Sequence, residues 1–382
     1  MRQLGPVLGV LLVAAGLVDV FLAVLQHDAV GFFTPRLYRW CWRLVRGVTQ
    51  PLPKGLRETV RSLAAPAMVV LTIAVWLGAQ ALGFALIYYP GVLGHGFDLT
   101  PGLRPSFGVA LYFSTATLSS LSFNDLAPRS LLFHALAATE TLVGLGILTL
   151  AISYVLSVYG VLREQNALAA ALHHQAEDSG DPRTILAPHF VDGDAIGLST
   201  HLREFHRSLV AQAEGLRRYP IVYYFQSRRA YRSIPYVFHM IGGVVAALRF
   251  GLPRGHPAST DPWLPSLYTG YCTVMREVED HFVPGVRRQD PEPAALEQLR
   301  AALGDGDAAV EDVAAVKEFA ALDRFMRRLA HLEGAPDPRE AYERYREWLP
   351  FATETAAFVS RVAADLGTDL GNLEAEPAPA PH

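Results

Sequence analysis

The chain has 382 residues, 51% hydrophobic and only 18% charged, with a formal charge of -4. That weak negative balance argues against a nucleic-acid protein, which relies on a basic surface to neutralise phosphates. Two cysteines, Cys41 and Cys272, imply no disulfide framework and read as reduced thiols.

The mean hydropathy of +0.20 hides a division along the chain: apolar runs fill the first 160 residues, and the rest reads as water-compatible helices. Three stretches are long enough to cross a bilayer, which takes about 20 apolar residues: Pro6 to Gln26, Leu63 to Tyr89, and Leu131 to Gly160. A cleavable signal peptide competes for the first, since Met1-Arg2 precedes it. Its apolar run is longer than a signal core and no small-residue cleavage pattern follows, so a retained helix is expected.

Between the first two spans, Arg36, Arg39, Arg43, Arg46, Lys54, Arg57 and Arg61 face only Asp28 and Glu58. The positive-inside rule then makes this loop cytoplasmic, with the N-terminus outside and everything after about residue 161 in the cytosol. Thr34-Pro35 is a good helix start. At about 100° per residue Arg36, Arg39, Arg43 and Arg46 share one arc, with Leu37, Trp40, Cys41, Leu44 and Val48 on the other side. Such a helix suits the bilayer interface, its guanidinium groups at anionic headgroups and Trp40 and Trp42 as anchors. An ordinary connector held against the cytosolic domain is the alternative.

The segment Leu111 to Pro128, LYFSTATLSSLSFNDLAP, sits between two long apolar runs. Pro105-Ser106 caps a helix from Phe107 to about Ser119, followed by small hydroxyl residues, a five-residue stretch and an Asp. This pattern resembles the pore loop of the potassium-channel family, whose filter is Thr-Val-Gly-Tyr-Gly followed by Asp. Laid on that motif, Ser120 stands for the Thr, Leu121 for the Val, Ser122 for the first Gly, Phe123 for the Tyr, Asn124 for the second Gly, and Asp125 for the Asp. Hydroxyl, aliphatic, aromatic and carboxylate are kept in kind; both glycines are lost. The resemblance implies a homotetramer that passes a monovalent cation, K+ or Na+, between four extended filter segments with their carbonyls turned inward. A left-handed backbone costs an ordinary residue roughly 1–2 kcal/mol, so Asn124 is a tolerable substitute and Ser122 a poorer one. Selectivity for potassium therefore does not carry over.

The third span resembles the same family's pore-lining helix. Gly144 lies where that family has a hinge glycine, and Gly146 follows it; small residues here serve bending or close helix packing. Two carboxylates fall within spans, where charge is costly unless paired or wetted. Glu140 is expected to hydrogen-bond the short helix through Thr115 or Thr117, or to face a water-filled cavity. Asp19 is expected to pair with Gln80 or with loop arginines.

Beyond the third span the helix continues through SVYGVLREQNALAAALHHQ, and breakers crowd Asp178 to Gly197. Helical periodicity then marks Leu202–Arg217, Ser233–Gly251, Leu267–Phe282, Ala294–Leu303, Ala308–Glu333 and Pro338–Leu366. The helix near 234–249 is almost wholly apolar and reads as a buried core helix in preference to a fourth crossing. His173-His174 and His201/His206 lack metal-ligand spacing, and no nucleophile elbow or phosphate loop is present, so no catalytic residue, metal site or cofactor is assigned. The expected fold is an all-α membrane protein. Its parts are an N-terminal helix and basic loop (1–62), a channel-like core (63–160), a linker (161–197), a cytosolic helical domain (198–370) and a disordered tail (371–382). It reads as a channel subunit without enzymatic activity. The alternative is a non-conducting, channel-derived sensor or scaffold.

Overall fold

The computed structural model describes residues 4–25, 34–100, 102–121, 125–227, 229–284, 291–304 and 314–368. The Cα framework divides into two compact units, residues 1–162 with 216–225, and residues 163–215 with 226–382. The division falls inside a long helix, after residue 162, and residues 216–225 belong to the first unit.

In the first unit α1 (Leu4–Val24) lies along α3 (Lys54–Leu93). Glycines permit the approach: a Cβ on Gly9 would sit 2.4 Å from the carbonyl oxygen of Gly83. Without a hydrophobic driving force between helices in lipid, such backbone contact is what holds two crossings together. Helix α2 (Thr34–Thr49) follows α1, and α5 (Leu131–Gln175) runs 45 residues without a break. The short helix α4 (Phe107–Leu118) stands between α3 and α5 in sequence. Strands β1 (Phe97–Leu99) and β2 (Leu126–Pro128) flank it and pair antiparallel, Phe97 with Pro128 and Leu99 with Leu126. The ladder closes the segment between them like a drawstring, reinforced by the Arg129 N–H donating to Gly96 O at 2.9 Å. Above it, Tyr88, Phe97, Phe113 and Phe133 interlock edge-to-face or tilted, with ring centroids 4.9–6.2 Å apart.

In the second unit the apolar helix α7 (Ile234–Phe250) is the core: thirteen of its positions are buried. Ser233 caps it, accepting from Tyr236 N, and Pro235 lies in its first turn. Helix α6 (Leu198–Arg218) precedes it in the chain; α8 (Leu264–Phe282), α10 (Ala314–Leu329) and α11 (Pro338–Leu366) pack on it, and α9 (Leu296–Leu303) packs on α10 and α11. The α11 boundaries follow from Asp337 as cap, Pro338 as first residue and Gly367 left-handed at the end. Helix α10 stops at Leu329 and not at the anticipated Glu333, because His331 turns left-handed at φ 49°; residues 308–313 and the tail lie outside the described residues. A two-residue hairpin, β3 (Phe190–Val191) with β4 (Asp194–Ala195), adds strand where none was anticipated. Arg344 is fully buried: its guanidinium donates to Asp323 Oδ1 (2.6 Å), both oxygens of Glu340 (2.9 and 3.0 Å) and Phe250 O (2.7 Å).

Candidate functional site

Helix α4 is the element on which the candidate residues converge. Ser106 Oγ accepts from Val109 N (3.3 Å) and starts it. Its end is built differently from the sequence expectation. Ser120 takes a left-handed φ of 58°, so the chain does not leave the helix extended. Leu121 N reaches back to Ala116 O (2.9 Å) and Ser120 N to Thr117 O (3.0 Å), the two bonds of a Schellman closure. Ser119 N and Oγ both donate to Thr115 O (3.1 and 2.7 Å). The last-turn carbonyls of Thr115, Ala116 and Thr117 are therefore already hydrogen-bonded within the chain. Ser122, Phe123 and Asn124, the centre of the filter-like stretch, lie outside the described residues. Asp125 beyond them accepts from Tyr112 Oη (3.2 Å) through its side chain and from Thr100 N (3.1 Å) through its carbonyl.

The back of α4 is fixed by α3 and α5. Ser114, buried, bonds to Ala81 O (2.9 Å) on one side and to Glu140 on the other. Glu140 thus binds α4 through Ser114 and not through Thr115 or Thr117, because the inward face of the helix carries Ala110, Ser114 and Leu118. Thr141 Oγ1 donates to Thr117 O (3.3 Å). One turn on, a Cβ added to Gly144 would lie 2.2 Å from Leu118 O, so this glycine is a packing contact, whereas Gly146 faces open space. The front of α4 is different. Tyr112, Thr115 and Ser119 are exposed along one face, while the exposed stripe of α5 is aliphatic: Leu142 (70%), Leu145, Leu148, Ile152 and Leu156.

Asp19 is held by groups of α2 and α3, and Gln80, one of the two kinds of partner anticipated, bonds elsewhere. Its Oδ2 accepts from Thr34 Oγ1 (2.9 Å) and Trp76 Nε1 (3.0 Å), and Gln80 donates instead to Val13 O (3.3 Å). Beside it, Tyr38 Oη and Tyr154 Oη share a hydrogen bond of 2.6 Å, joining α2 to α5. On α2, Arg36, Arg39, Arg43 and Arg46 are exposed, as is Trp40 at 61%. Trp42 is not an interfacial anchor: it is 3% exposed and packs on Tyr224 at 5.5 Å. One helical face cannot present residues 40 and 42, which lie about 200° apart. At the base of the loop Arg129 Nε donates to Asp98 Oδ1 (2.6 Å), and this bond holds the Asp98 carboxyl below its ordinary pKa.

No protein-family model matches the chain, and no solved structure matches it. A Bacillus subtilis (strain 168) protein described as the uncharacterized membrane protein YdjJ is 25% identical over 252 residues, which are 64% of this chain and 70% of that protein. The likeness joins three helices among the described residues that are long and apolar enough to cross a bilayer, α1, α3 and α5. The chain is a membrane protein.

Sequence reasoning found no convergence of titratable groups in the helical second unit. The structure brings four together around one cavity: Asp181, Arg183, His239 and Glu318. A signal existed. Gly242-Gly243, one turn after His239 in an otherwise bulky helix, marks a place where another segment comes close, and Gly243 does abut Pro182, whose Cγ would lie 2.2 Å from an added Cβ.

Proposed function

We propose that the chain is a subunit of a homotetrameric pore-loop channel passing monovalent cations, K+ or Na+, down their gradient, with its C-terminal unit in the cytosol. One observation carries this reading. Helix α4 is 12 residues long, about 18 Å at 1.5 Å per residue, too short to cross a core about 30 Å thick. Its exposed face carries Tyr112, Thr115 and Ser119. A backbone broken at membrane depth needs water or protein beside it, not lipid. A second, third and fourth copy enclosing a wet axis would supply both. In that assembly the aliphatic stripe of α5 serves as copy-to-copy contact or hydrophobic pore wall. The exposed arginines of α2, with Trp40 beside them, suit anionic headgroups of the cytoplasmic leaflet.

The Schellman closure at Ser120 favours a second reading, a non-conducting sensor or scaffold acting through the helical second unit. Ser120 opens the filter-like stretch with a left-handed turn and not with the extended backbone that would line an ion path. Purified protein in liposomes, tested for K+ and Na+ flux and for mass in lipid, separates the two. Cation flux from a tetramer supports the channel; a tetramer silent at every voltage and pH supports the scaffold; a monomer defeats both forms of the assembly.

A further inference from the structure

The cavity of the second unit has a volume of about 750 Å³, within the range of roughly 300–1,000 Å³ typical of small-molecule sites. Its wall is formed by α11, where Trp348, Phe351 and Ala352 face it, and by the glycine-bearing stretch of α7. This apolar wall meets a polar rim of Asp181, Arg183, His239 and Glu318. Few polar groups converging on one side of an aromatic-lined hollow are the usual mark of a ligand site.

The rim decides what kind of ligand fits. Arg183 is committed: its Nε donates to both oxygens of Asp181 (2.9 and 3.0 Å) and its Nη2 to Oδ2 (2.7 Å). The guanidinium also lies 5.4 Å from the ring of Phe325. Burial would raise the Asp181 carboxyl, but the Arg183 bonds and nearby His239 outweigh it and hold it below its ordinary value. Glu318 is in the opposite position. Among the described residues it makes no hydrogen bond, and partial burial of this otherwise exposed side chain pushes its carboxyl up further than the charge of Arg183 draws it back. The rim thus has a bound cation and an unspent anion, beside aromatic faces that attract positive charge.

We propose that this cavity binds a small organic cation, an ammonium head at Glu318 and an apolar or aromatic body against Trp348 and Phe351. An anionic ligand would have to displace Asp181 from Arg183. A cationic one gives Glu318 the hydrogen-bonding partner that it does not have among the described residues, and the apolar body covers the α11 wall. The inference is independent of conduction, since it concerns the second unit alone.

The test is calorimetric titration of the full-length protein in detergent with 2-phenylethylammonium and with 3-phenylpropionate, an anion of closely similar shape. Saturable binding of the ammonium, at least tenfold tighter than that of the carboxylate and weakened at least tenfold by Glu318→Gln, is the expected result. Absence of saturable ammonium binding, a carboxylate that binds within tenfold or tighter, or a Glu318→Gln variant that loses less than tenfold overturns it. Ala352→Trp should fill the hollow and abolish binding, and a folded variant that still binds like the parent places the probe elsewhere and overturns it too. Should that variant not fold, Glu318→Gln, which alters an exposed rim residue, and the paired probes decide alone.

Discussion

Ser114 and Glu140 are joined by a buried hydrogen bond, and the same serine hydroxyl also lies 2.9 Å from Ala81 O. A single side chain of α4 therefore ties together the two crossings on either side of it. Leaving a buried polar group without its partner costs roughly 1–3 kcal/mol, more where it is charged. Ser114→Ala should lower the thermal midpoint in detergent, Glu140→Ala should do so as well, and the double variant should lose less than the sum of the two. Strict additivity in that cycle would show that the pair is not coupled.

Ser120 occupies a left-handed conformation that glycine adopts freely. Ser120→Gly should stabilise the protein by about 1 kcal/mol, while Ser120→Val, β-branched at a positive φ, should destabilise it by at least as much. Denaturation midpoints of the two variants moving in the same direction would contradict the closure described at the end of α4.

How much of this was legible in the sequence differs from element to element. Helix α11 was readable to the residue, because Asp337-Pro338 and Gly367 are chemical stop signs. The long crossings were readable from apolar length, although α3 and α5 overrun the spans at their ends, since hydropathy reports lipid depth and not helix continuity. The partners of Asp19 were not readable. Trp76 and Thr34 reach it from 57 and 15 positions away, and composition carries no information on which polar groups a fold will bring to one depth. That Trp42 and Trp40 part company, one into the core and one to the surface, was legible in their separation of about 200° on a helix.

Arg344 and Asp323, both buried, form an ion pair at 2.6 Å, with Glu340 accepting from Nε and Phe250 O from Nη1. Removing one partner strands a charge in the interior. Arg344→Met should therefore cost about 3–5 kcal/mol, and adding Asp323→Leu should recover part of it. The comparison is made by chemical denaturation of the full chain, following the transition of the helical unit; equal stability of parent and single variant would refute the role given to this pair.

Asp98 and Arg129 pair across the ends of the β1–β2 ladder, where both are exposed. Because the folded-state carboxyl titrates below its unfolded value, its contribution is present above the ordinary aspartate range near pH 4 and fades as pH falls through the lowered folded pKa. Asp98→Asn should abolish that acid-side dependence and lower neutral-pH stability by the same small amount, small because salt screens exposed pairs. A parent and variant with parallel stability profiles from pH 6 to pH 2 would remove the assignment.

The 45 residues of α5 come to about 68 Å at 1.5 Å per residue, more than twice the thickness of a hydrocarbon core of about 30 Å. Since the helix is unbroken, its amides differ mainly in what surrounds them. Deuterium uptake along this one element should thus be a depth gauge, slow through the lipid, quickening where the headgroups begin, and slow again where protein covers it.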